Sequence, residues 1–164
     1  MDLDTNIQKY LADRKADQRY ASFDYCFNYF QEFRETGDVS ALVSPANIQM
    51  TCLQLGFYLA SWGMLRGSTD LLQESARSLI PVLAVVAHTE PSVWEIDADC
   101  YTDSNIDLLM ALADTMREAR PNMSDTLLTK IMLGIFGNVF RILVAVLQRE
   151  ATGLRLLVME DTRG

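Results

Sequence analysis

From Val39 to Leu65 the chain carries no Asp, Glu, Lys or Arg, and the run ends abruptly on Arg66. On a wheel of 3.6 residues per turn, Ile48, Cys52, Leu55, Leu59 and Trp62 form one stripe, while Met50, Leu53, Phe57 and Ala60 cover the opposite side. The pattern predicts a helix over about 48–62 that is apolar nearly all round. Such a helix needs cover nearly all round, which makes it the expected centre of a bundle. Ser44 or Asn47 stands where its N-cap belongs, and Gly63 and Gly67 close it.

The flanking text is helical as well. Residues 4–16 set Leu3, Ile7, Tyr10 and Leu11 at weak helical spacing, whereas residues 20–35 carry a stripe of Phe23, Phe27, Phe30 and Phe33 widened by Tyr20, Tyr25 and Tyr29. Gly37 offers a left-handed cap to that second helix. A short helix is expected over 69–74 and another over 79–87, where Pro81 fits a first turn but would be out of place in a central strand. The V-W-E-I-D-A-D-C-Y stretch reads as irregular. Asp103 or Ser104 then caps a helix carrying Ile106, Leu109, Met110, Ala113 and Met116, and Ser124 caps a last one that Gly134 and Gly137 weaken. The expectation is an all-α, single-domain helical bundle of about six to eight helices around 48–62.

Composition narrows the classes. At 164 residues the chain can bury a core without metals or disulfides, and its net charge of −8 disfavours nonspecific nucleic-acid binding. Cys26, Cys52 and Cys100 cannot all pair and show no C-x-x-C spacing, so free thiols are expected. The acidic start M-D-L-D lacks an apolar signal region, which points to the cytoplasm. Ile131 to Leu147 falls short of the ~20 residues of a membrane span and contains Arg141, so a buried hairpin is expected there instead.

The segments A-S-F-D-Y-C-F-N-Y-F-Q (21–31), L-Q-L-G-F-Y-L-A-S-W-G-M-L-R-G-S (53–68), W-E-I-D (94–97) and T-K-I-M-L-G-I-F-G (129–137) resemble those of a family of small bacterial proteins of unknown function. The likeness covers residues 18–138 and implies one domain; it brings no activity, cofactor or catalytic residue with it. The family pattern continues after F-G-x-V with a proline, an aromatic, an aspartate and Y-F, where this chain reads N-V-F-R-I-L-V-A-V-L. Residues 139–164 hold four Arg, no Lys and three acids, a net of +1 in an otherwise acidic chain. Residues 1–138 are therefore expected to form the all-α domain, and 139–164 a divergent or frame-shifted segment, loosely ordered from about Ala151 and prone to association. A more distant pattern, T-K followed by an apolar run, is similar to helix-hairpin-helix DNA glycosylase-like proteins. Lys130 matches it, and the proline and aspartate that should follow are missing.

Several residues are candidates for chemistry. Arg66, among Trp62, Gly63 and Ser68, has the donors to clamp a phosphate or carboxylate; alternatively it satisfies carbonyls at the end of the central helix or pairs with Asp97 or Asp99. Tyr58, Trp62, Arg66, Ser68 and Asp97 make up the candidate binding set. Lys130, the only charge between Asp125 and Arg141, is the candidate catalytic group if desolvation lowers its pKa; otherwise its stem covers apolar surface while the ammonium reaches water. Glu95, Asp97, Asp99 and Asp103 lack the glycine and closing glutamate of a calcium loop, and the sole histidine, His88, reads as a helix terminus. No metal, cofactor or nucleotide-binding motif is expected. The expected function is a helical module binding a protein partner or a small ligand, with oligomers allowed; the alternative is a glycosylase-like nucleic-acid enzyme using Lys130 with Arg66 on a phosphate.

Overall fold

The computed structural model describes residues 21–66, 70–96 and 102–137, and every regular element among them is helical. The helices are α1 (Ala21–Glu35), α2 (Ile48–Ser61), α3 (Asp70–Gln73), α4 (Ile80–Ala87), α5 (Pro91–Trp94), α6 (Asp103–Ala119) and α7 (Asp125–Phe136), with 3-10 turns at Val39–Val43 and Ala76–Leu79. The all-α expectation holds. Residues 4–16 and 139–164, read above as a weak helix and a divergent tail, lie outside the described residues, as do Gly67 and Cys100.

Helix ends follow from local chemistry. Gly37 and Gly63 both take positive φ, near 72° and 74°. In each case the glycine amide bonds the carbonyl three residues back and the next amide bonds five back: Gly37 to Arg34 with Asp38 to Phe33, and Gly63 to Ala60 with Met64 to Leu59. Both are Schellman closures, so the orphan carbonyls of α1 and α2 are satisfied by the backbone itself. At the other ends, the Ser124 hydroxyl accepts from the Leu127 amide, as expected. For α6 the cap is Thr102, whose hydroxyl accepts from Asn105, rather than Asp103 or Ser104. Asn47 precedes α2 but does not cap it; its side chain donates to the Ala41 carbonyl at 3.0 Å and fastens the preceding turn. The segment after Glu90, expected to be irregular, starts with the helical turn α5, for which Pro91 supplies a preset φ.

α1 lies against both α2 and α7, while α4 lies against α6 and the first 3-10 turn. Phe30, Leu42, Leu55, Tyr58, Leu59, Leu83, Leu109, Met116 and the α7 residues Leu128, Ile131, Met132 and Ile135 are the largest fully enclosed side chains of the core. Polar ties cross it. Tyr29 bonds the Thr51 hydroxyl at 2.9 Å, and Thr51 in turn donates to the Leu42 carbonyl at 2.8 Å, so one buried hydroxyl joins α1, α2 and the turn between them. Ser22 meets Ser61 at 2.6 Å, and Gln31 donates to the Ile135 carbonyl at 3.2 Å. Cys26 and Cys52 are free and buried; burial alone pushes the Cys26 thiol up to about 12.

Two expectations need correction. α2 is not covered all round: Thr51, Cys52, Leu55, Tyr58 and Leu59 are buried, but Met50, Leu53 and Phe57 on the opposite side are about half exposed. Absence of charge does not require cover, because apolar atoms make up more than half of an ordinary protein surface. Gly134, read as a weak point, is instead a contact. A Cβ there would come within 2.5 Å of the Tyr58 ring, so the missing side chain lets α2 and α7 approach.

Candidate functional site

Two places on the molecule carry chemistry. The first is the corner where α2 ends beside α7. The Schellman closure at Gly63 turns the chain so that the Arg66 guanidinium folds back onto the Gly63 backbone, where no side chain intervenes; a Cβ at Gly63 would overlap it. On the facing helix, Lys130 lies one turn before Gly134, and its ammonium sits 4.6 Å from the centroid of the Trp62 ring. It also donates to the Trp62 carbonyl over a long 3.4 Å. Both contacts place a cation at the negative end of α2, where the macrodipole favours it. Partial desolvation holds the Lys130 ammonium below its ordinary pKa.

The corner therefore gathers three of the residues singled out from the sequence: Trp62, Arg66 and Lys130. Tyr58 is connected to it only through the core. Its ring is fully buried, 6.3 Å from Trp62 and tilted against Phe23, and burial raises its hydroxyl pKa. Among the described residues the Tyr58 hydroxyl has no hydrogen-bond partner. Ser68 and Asp97 lie outside the described residues, and so does the expected Arg66–Asp97 pair. Among the described residues Arg66 forms no ion pair, and Glu95 of the same acidic stretch pairs with Arg34 at 2.8 Å. His88 terminates α4, as expected, with Nδ1 2.7 Å from the Ala84 carbonyl.

The second place was not legible from motifs. Between α4 and α6 runs an open groove of about 600 Å³, lined by Ala84, Val85, His88 and Thr89 on one side and Leu108, Ala111, Leu112 and Thr115 on the other, with Val93 and Glu90 at its end. Its polarity is low because the hydroxyls of Thr89 and Thr115 are turned back onto the Val85 and Ala111 carbonyls, at 2.9 and 2.8 Å. Small side chains make the space. Ala84 and Ala111 stand at the middle of facing helices, where a larger residue would close the gap. The signal available in the sequence was the spacing Leu108, Ala111, Leu112, Thr115, a helical stripe beside the one that feeds the core.

Comparison with protein-family models, with curated proteins and with solved structures found no match. The geometry has to speak for itself. Among the described residues no group of three His, Cys, Asp or Glu is arranged to hold a metal ion, and no helix is long and apolar enough to cross a membrane.

Proposed function

We propose that this chain is a helical binding module that takes a partner protein or ligand into the groove between α4 and α6. The groove itself carries the reading: a preformed, largely apolar concavity of about 600 Å³ lies within the size range of ligand and peptide sites, and a few polar groups at one end are available for orientation. Its walls are two helices whose other faces are core, so the groove is preformed and needs little reorganisation on binding. An amide-resolved NMR titration of the full chain with a set of apolar fragments tests it. Shift changes confined to residues 84–93 and 108–115 are expected; changes scattered over the surface, or centred elsewhere, contradict the proposal.

A second reading, a nucleic-acid enzyme acting through Lys130, is favoured by one observation: a partly desolvated ammonium lies over the half-exposed Trp62 ring. Such a lysine can attack an aldehyde carbon to form a Schiff base. Borohydride reduction in the presence of abasic-site DNA would trap that adduct. An adduct that disappears in Lys130→Ala supports this reading; no adduct removes it, and the acidic balance of the chain favours that result.

A further inference from the structure

The charge around the groove narrows its occupant, granted that the groove is the binding site. Among the described residues no Lys or Arg lines it, and Glu90 stands at its end without an ion-pair partner. Along α6 the groove edge runs through Ala111 and Thr115. Asp107 lies four residues before Ala111, and Glu118 three after Thr115, so both occupy the stripe next to that edge. Both are exposed, and neither is paired among the described residues. Asp114, between them, is already held by Arg117 at 2.9 Å. An apolar floor thus has uncompensated carboxylates at its end and along one edge: Glu90 at the end, Asp107 and Glu118 along α6.

We infer that the groove's partner is a basic amphipathic helix, its apolar stripe seated on Val85, Val93, Leu108 and Leu112 and its Lys or Arg residues reaching Glu90, Asp107 and Glu118. The floor would bury the apolar stripe, which supplies affinity, while the margins select sign and orientation. An acidic or neutral helix would leave three carboxylates facing like charge or nothing. The exposed side of α2 offers no such selection, since Val39 to Leu65 contain no charge at all.

The test uses the full chain and two synthetic helical peptides of about four turns with Leu at i, i+3, i+4 and i+7, one filled with Lys and the other with Glu. Binding is read by fluorescence anisotropy at low and high salt, with amide shifts to place it. The Lys peptide is expected to bind at residues 84–93 and 108–115, to weaken about tenfold when Glu90, Asp107 and Glu118 are changed together to Gln, Asn and Gln, and to weaken in salt. Ala111→Arg, an exposed change on the groove edge, should abolish binding while circular dichroism stays native. Equal binding of the two peptides at the groove, both lost in Ala111→Arg, would overturn the charge assignment but leave the groove as the receptacle. Binding of neither peptide, or binding mapped to the α2 surface and indifferent to Ala111→Arg, would overturn both. Self-association that Ala111→Arg reverses would give the groove to a second copy and would also overturn the inference.

Discussion

α2 and α7 are the two least polar long helices of the described chain, the first with no charge and the second with Asp125 and Lys130 alone, and they occupy opposite kinds of position. In α7 seven of twelve residues are buried, including the consecutive pairs Leu127–Leu128 and Ile131–Met132. In α2 five of fourteen are buried, and the far side shows Met50, Leu53 and Phe57 to solvent. The difference lies in neighbours. Among the described residues α7 touches α1, α2 and α6, whereas the neighbours of α2, namely α1, α7 and the 3-10 turns, leave Met50, Leu53 and Phe57 about half exposed. Composition reports that a helix lacks charge; only packing decides how many of its faces are covered.

The contrast can be probed from its strongest consequence to its weakest. Ile131→Ala removes a fully buried side chain of α7 and should cost about 2–5 kcal/mol in urea denaturation, because the surrounding helices cannot close the cavity. A cost under about 1 kcal/mol would mean α7 is less enclosed than described. Next is Gly134→Ala. Relative to glycine, alanine gains roughly 1 kcal/mol of helix propensity, but its Cβ would press on the Tyr58 ring at 2.5 Å, and overpacking costs about 1–3 kcal/mol. A net loss of stability is expected; a net gain would show that the two helices do not touch there.

Tyr58→Phe works in the other direction. The ring fills space between α2 and α7 while its hydroxyl is buried without a partner among the described residues, so removing the hydroxyl should leave stability unchanged or raise it by about 1 kcal/mol. A clear loss would reveal a bond to that hydroxyl.

The smallest effect is a pH dependence at the corner. Desolvation places the folded-state pKa of Lys130 below the ordinary 10.5, so in the window just under that value the unfolded chain binds more protons than the folded one, and stability rises with pH. Measured against Lys130→Gln between about pH 8 and 10, the wild-type midpoint should gain ground as pH increases. A difference that stays constant or reverses would mean that the Trp62 contacts, which favour the charged form, outweigh desolvation.

Much of the secondary structure was legible in local chemistry. Gly37, Gly63, Pro81 and Ser124 mark helix ends for steric and hydrogen-bonding reasons that do not depend on the rest of the fold, and the elements end where they predict. The side of α2 that would stay exposed was not legible, since its two apolar stripes look alike until α1 and α7 choose between them. Of the candidate site, Trp62, Arg66 and Lys130 gather at the end of α2, which the helix-end logic at Gly63 anticipates for Arg66 but not for Lys130, 68 residues beyond Trp62. The groove escaped because it is made of what is missing: short side chains at Ala84 and Ala111 leave no motif.

The central claim, that α2 is a one-sided helix packed on a buried α7, is tested most directly by one pair of urea titrations. Leu55→Ala and Phe57→Ala sit two residues apart in the same helix, and Leu55 is fully buried whereas Phe57 is 56% exposed. Leu55→Ala should lower stability by about 2–5 kcal/mol, and Phe57→Ala by about 1 kcal/mol or less. Comparable losses at the two positions would show that both faces of α2 are covered and would contradict the account.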